Sequence, residues 1–141
     1  MSYEPDPHNL RILAQCVDAN PGYEWTVVEA CAMASAGRVH VDTGNFADSR
    51  VSERGIEAEG IDVLPILKDY DYVKMDIEGS EWPILSDPRW VEAMREVSVF
   101  VIEWHAQEGV AGDHRAAAVT AVRRAGFTLE ASLPGWSHGL I

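Results

Sequence analysis

Tyr72-Val73-Lys74-Met75-Asp76-Ile77-Glu78-Gly79-Ser80-Glu81 is the stretch that decides the fold. Val73, Met75 and Ile77 fall on one face and Lys74, Asp76 and Glu78 on the other, the two-residue period of a β-strand over residues 72–77. Gly79 permits a sharp turn out of that strand. Ser80 and Glu81 then open a helical turn, with Pro83 tolerated only near its start. A strand running straight into a helix is the repeating unit of α/β proteins, and ligands in open α/β sheets bind outside the carboxyl ends of the strands. Lys74, Asp76 and Glu78 therefore stand where chemistry is expected. Glu81 lies in the first helical turn, where the dipole favours its charge whether or not it does chemistry.

Toward the C-terminus, Asp87-Pro88 caps a helix through Met94, and residues 97–104 (VSVFVIEW) form the most apolar strand candidate, expected to be central and covered on both faces. That strand ends in Ile102-Glu103-Trp104-His105, which puts a Glu and a His on one face. An imidazole with an ordinary pKa near 6.5 can take a proton from a substrate hydroxyl near neutrality, and Glu103 can orient the ring or contact substrate. A plain surface histidine is the competing reading. Asp113 caps a final helix with apolar or small residues at 118, 119, 122 and 125, Gly126 ends it, and residues 127–131 with the tail after Pro134-Gly135 suggest a closing hairpin.

Toward the N-terminus, Asp6 is the expected N-cap of a helix with Pro7 at its first position and apolar residues at 10, 13, 14 and 17, stopped by Asn20-Pro21-Gly22. Residues 25–30 (WTVVEA) read as a buried strand and 38–42 (RVHVD) as a half-exposed one. Residues 43–60 are polar, hold three glycines and show no sustained period, so they read as a loop. A short apolar piece, 61–67, precedes the deciding strand. Strands alternating with helices argue a mostly parallel sheet with helices on both faces, in one domain over residues 1–141.

Eleven basic against 23 acidic side chains leave a formal charge of −12, which repels a phosphate backbone and favours a neutral hydroxylated molecule or a cationic cofactor. Nucleic acid is not an expected partner. No apolar run reaches bilayer length and the first residues carry neither a basic nor an apolar leader segment, so the expectation is a cytoplasmic chain without membrane attachment. Cys16 and Cys31 show no CxxC spacing and read as reduced thiols. Glu4, held extended by Pro5 at a strand end just before a capped helix, is placed to accept both hydroxyls of a ribose; a solvated glutamate near the terminus is the alternative. Asp76, Glu78, Glu103 and His105 are all metal-ligand types, but their spacing matches no HExxH, EF-hand or zinc pattern, and no metal is expected.

The blocks YEPDPHNL (3–10), IDVLPIL with YDYVKMDIEGSEWPIL (61–67, 70–85) and FVIEWH (100–105) resemble, in this order, consecutive blocks of the FkbM family of S-adenosylmethionine-dependent methyltransferases. KMDIEGSEW is the specific one, and the resemblance runs from Tyr3 to the C-terminal hairpin. It implies a Rossmann-like sheet of strand order 3-2-1-4-5-7-6 and O-methylation of a sugar, polyketide or other small metabolite. Carried over by position, Glu4 would bind the cofactor ribose and Ala30-Cys31 would approach the adenine. Asp76, Glu78 and Glu81 would line the methyl-transfer cleft, with Asp76 also touching the cofactor and Glu103 and His105 opposite. The chain departs from the pattern in one respect: it starts at the second strand and contains no G-x-G, so the first strand and its glycine-rich turn are absent. The expectation is a truncated domain with two open sheet edges, prone to self-association, whose alternative fate is an inactive remnant or a module completed by another chain.

Overall fold

The computed structural model of the chain describes residues 1–44, 49–105 and 113–129, together with the backbone of 131–132 and 138–140. Strand β1 (Ser2–Tyr3) leads into helix α1 (Pro7–Ala19), and β2 (Val27–Val28) returns to pair with β1 in parallel. Asp6 caps α1 as the sequence predicts, its carboxylate accepting the His8 backbone N–H at 2.7 Å. No residue of α1 is fully buried; Leu10, Leu13 and Val17 are half-buried, and Ala14 is exposed. The buried strand expected over 25–30 is reduced to two half-buried residues, because its only ladder neighbour among the described strands is the equally short β1.

The second unit contradicts the sequence reading most. Strand β3 (Cys31–Met33), β4 (Gly37–Asp42), β5 (Arg50–Ser52) and β6 (Ile56–Asp62) form a four-stranded sheet of order β3-β6-β4-β5. Residues 50–52 and 56–60, read as loop, are thus strands, while 45–48 lie outside the described residues. Ile56, Ala58 and Gly60 alternate with Glu57 and Glu59, a weak period because its apolar members are small or exposed. What makes it a strand is the antiparallel ladder with β4, a long-range partner that no local pattern reveals. Gly55 lets the chain pass from the β5 edge of β4 to its β6 edge: its φ is 128°, and a Cβ there would sit 2.0 Å from the Val41 carbonyl oxygen.

Helix α2 (Leu64–Leu67) then delivers the chain to β7 (Tyr72–Met75), helix α3 (Glu81–Ser86), helix α4 (Trp90–Ala93) and β8 (Val99–Glu103). After helix α5 (His114–Arg124) come β9 (Ala131–Ser132) and β10 (His138–Leu140), the closing hairpin, and this sheet has the order β7-β8-β10-β9. Only three of the seven strand pairings among the described residues are parallel, so the architecture is mixed α/β in three small sheets rather than one mostly parallel sheet. Strand β4, antiparallel to both β5 and β6, and the C-terminal hairpin supply the antiparallel pairs.

The core gathers under β8. Phe100 and Ile102 are buried, and Phe100 lies between the rings of Trp90, at a centroid distance of 5.4 Å, and Phe127, at 5.8 Å. Ile84, Leu85, Met94 and Val122 close around them, and the Trp90 indole N–H donates to the Ala121 carbonyl at 3.0 Å, so the buried ring leaves no orphaned donor. The opposite face of β8 is not covered as expected: Val99 is 44% exposed and Val101 half-buried. No helix among the described residues is long and apolar enough to cross a membrane.

Candidate functional site

Strand β7 stops at Met75, two residues earlier than its alternation suggests, and the chain turns through Glu78 at φ 51° and Gly79 at φ 98°. Two consecutive residues in the left-handed region make the turn tight, and Glu78 holds a conformation that costs a non-glycine residue about 1–3 kcal/mol. The turn is fixed by Glu81. Its side chain is fully buried and accepts the backbone N–H groups of Gly79 at 2.9 Å and Ile77 at 3.2 Å, so the carboxylate that begins α3 folds back over the strand end.

The same carboxylate reaches across to the end of β8. Glu81 Oε1 lies 2.9 Å from His105 Nδ1, while His105 Nε2 lies 3.2 Å from Glu78 Oε2 and 3.6 Å from Glu103 Oε1. The His105 carbonyl accepts the Trp82 indole N–H at 2.6 Å, which ties α3 to the residues following β8 a second time. The hydrogen bond that the His105 ring donates to Glu81 raises the His105 pKa; burial opposes this, and the charges of Glu81, Glu78 and Glu103 add to the rise. His105 is therefore a better cation near neutrality than a free imidazole, and its orienting partner is Glu81 rather than Glu103. Lys74 Nζ pairs with Asp76 at 2.7 Å on the exposed side of the same strand end.

A cavity of about 190 Å³ opens beside this cluster, lined by Tyr3, Glu4, Cys31, Ala32, Asp76 and Glu78 among others. It brings the carboxyl ends of β1 and β7 together with the start of β3, three segments far apart in sequence. Glu4 points its carboxylate at the N-terminus of α1, accepting the Asp6 N–H at 2.8 Å, and burial raises its pKa despite that bond. Asp6 is 2% exposed; burial pushes its pKa up, but the Ser49 hydroxyl at 2.7 Å and the backbone N–H groups of His8 and Asn9 outweigh it and hold the carboxyl below the usual range. Cys31 is buried in the cavity wall, where desolvation followed by the Glu4 charge raises its thiol pKa and disfavours the thiolate.

The structure thus assembles Glu4, Cys31, Asp76 and Glu78 around one space and His105, Glu81 and Glu103 behind Glu78. Two expected positions fall elsewhere. Ala30 is fully buried and does not line the cavity, which Ala32 does instead; Glu81 lies under the cleft rather than on its wall. Sequence reasoning missed Ser49 and Ser80 as wall residues and Trp82 as a tether. Ser49 lay in a stretch without period, and only the fold brings it 43 residues back to Asp6.

No family model, curated protein or solved structure matches this chain. The site is therefore read from its own chemistry. Asp76, Glu78 and His105 each present a ligand atom within 4.8 Å of the others, a donor set able to hold a divalent cation if His105 is neutral. Four carboxylates, Asp76, Glu78, Glu81 and Glu103, face Lys74 and His105; with both bases protonated the group keeps a net charge of −2. Such a field attracts a cation and holds a proton on His105.

Proposed function

We propose that the chain forms the larger part of an S-adenosylmethionine-dependent methyltransferase domain of the FkbM type, with a Rossmann-like sheet, acting on a hydroxyl oxygen of a small hydroxylated metabolite. The observation that carries this reading is the strand order around a gap. One sheet ends β2-β1 and the other runs β7-β8-β10-β9 with β10 antiparallel to β8. Numbered as the resemblance implies, these are 3-2 and 4-5-7-6, and strand 1 of that order would stand between β1 and β7. The KMDIEGSEW turn, the acid at the end of β1 and the net negative charge of the cleft point the same way.

The residues present fit such a cofactor in part. When bound, S-adenosylmethionine supplies an electrophilic methyl group on a cationic sulfonium, which the surplus carboxylates favour. Glu4 would accept ribose hydroxyls, and Cys31 and Ala32 would pack beside the base. Asp76 and Glu78 would orient the acceptor hydroxyl, and His105 Nε2, poised by Glu81, would take up the proton released as the new bond forms. Because its pKa is raised, His105 is freed to accept that proton only as pH climbs through a value above the ordinary 6.5.

The test is transfer of tritium from methyl-labelled cofactor to hydroxylated acceptors; label found only on nitrogen or carbon would contradict the oxygen assignment. In a protein that binds the cofactor, Glu4→Ala should weaken binding by about 1.5–3 kcal/mol, the worth of a hydrogen bond to a charged group, and an unchanged dissociation constant removes the ribose role. The gap favours a second reading, an inactive remnant or a binding module whose cofactor site is finished by another chain. Calorimetric titration separates the two: cofactor binding by the 141-residue chain alone argues for the enzyme.

A further inference from the structure

The gap between β1 and β7 has a backbone chemistry of its own. Ser2 donates its N–H to Thr26 and Glu4 donates to Val28, so both face β2 and the intervening Tyr3 turns its N–H and C=O the other way. On the far side, Asp71 accepts the Val99 N–H, which by alternation assigns Val73 and Met75 to the β8 ladder and aims the N–H and C=O of Tyr72 and Lys74 away from it. Among the described strands β1 pairs only with β2 and β7 only with β8. Two ladders therefore stop on either side of one groove.

The edges run in the same direction. Their starts are together, with the Tyr70 hydroxyl 3.5 Å from Met1 Sδ, and their ends are together, since Glu4 and Asp76 line one cavity. Between them lies a second, larger cavity of about 520 Å³ whose walls include Leu13, Ala32, Val63, Ile66, Leu67 and Val73. Its walls are mostly apolar while its rims offer backbone groups without a ladder partner among the described strands, a combination that neither a helix nor a small apolar ligand satisfies. A helix bonds its own backbone, and a small molecule carries no alternating donors and acceptors on two sides. At the ends of the edges the groove meets Glu4, Asp76 and Glu78, in a chain of net charge −12.

We propose that this groove is an acceptor for one extended segment of another polypeptide, inserted as a strand parallel to both β1 and β7, apolar along its length and basic at its carboxyl end. The inserted backbone bonds Tyr3 on one side and Tyr72 and Lys74 on the other, joining two of the three sheets into one. The apolar side chains fill the cavity, and the basic end meets the carboxylates. This does not depend on the methyl-transfer reading, since it requires no cofactor and its test measures none.

The experiment uses the full chain and a fluorescein-labelled, acetylated heptapeptide, Val-Ile-Val-Val-Ile-Lys-Lys amide, followed by fluorescence anisotropy. Two further peptides carry N-methyl groups on the odd or on the even apolar residues, which keeps apolarity and charge while deleting the donors to one edge or the other. The expected result is saturable binding that falls about ten-fold or more with either methylated set, because a strand between two edges uses both sides of its backbone. Equal binding of all three peptides would reduce the groove to a greasy surface and overturn the proposal. Loss with one set only would mean pairing with a single edge, and no binding at millimolar peptide would mean the gap is closed in solution; either overturns it too. Light scattering at the same protein concentration adds the last arm, since a dimer that excludes the peptide would assign the groove to a second copy of this chain instead.

Discussion

Residues 37–42 with 50–62, and residues 72–105, both contribute β-structure, yet they are held by different forces. In the later region Phe100, Trp90, Ile84, Leu85, Met94 and Ile102 are almost wholly withdrawn from water and stack on one another. In the earlier one Val41 is the only large side chain fully buried among the described residues, and β4 and β6 each expose alternate residues to solvent. One region is stabilised by apolar burial and the other mainly by backbone pairing, and the contrast decides where a substitution hurts.

The comparison breaks most visibly at Phe100. Replacement by alanine should cost about 3–5 kcal/mol, the loss of a buried aromatic plus its cavity, read from the urea midpoint; a loss under about 1 kcal/mol would show that the two regions share the stabilisation equally. Glu81→Ala comes next, at about 1.5–3 kcal/mol, because it strands the N–H groups of Ile77 and Gly79 and the ring of His105. The milder Glu81→Gln sharpens the point electrostatically. His105 has a folded-state pKa above 6.5, so protonation favours the fold; that contribution is complete below about 6.5 and fades as pH rises through the raised value. In Glu81→Gln the imidazole should titrate lower by NMR and the fading should shift to lower pH.

Gly55→Ala probes the other region. With φ at 128° and the Val41 carbonyl in the way, it should cost about 1–3 kcal/mol and raise hydrogen exchange in β4, β5 and β6 while β7 and β8 stay protected. Uniform loss of protection would mean the two regions unfold as one unit. Smallest of all is Arg38→Ala, which removes an ion pair with Glu57 between two largely exposed side chains and should change stability by less than about 0.5 kcal/mol.

The same contrast explains what the sequence disclosed. Where burial dominates, the pattern is local and largely readable: the alternation that begins at Val73, though its strand stops at Met75, the apolar run of β8, the Asp6 and Asp113 caps, each of which accepts a backbone N–H, and a final hairpin whose first strand is Ala131–Ser132 rather than 127–131. Where pairing dominates, the information is in the partner strand. Nothing around Glu57 or Glu59 announces that β4 will bond them, so 50–60 read as loop. At the site, types and strand ends were legible from Glu4, Asp76, Glu78 and His105. The burial of Glu81 beneath the turn was not, because its spacing fits a dipole-stabilised surface acid equally well.

The registers of the strand pairs carry a kinetic consequence. Val41 pairs with Val51, ten residues away, and with Ile56, fifteen away, whereas Cys31 must find Gly60 across 29 residues and Tyr72 must find Val99 across 27. Chain closure is less costly over short loops, so the β4–β5–β6 unit is able to form before the parallel pairings of β3 with β6 and β7 with β8. It does so without a core to hold it, and becomes persistent only when the slower parallel pairings bring Trp90 and Phe100 together. A part of the molecule able to assemble early is then the part that comes apart most easily at equilibrium.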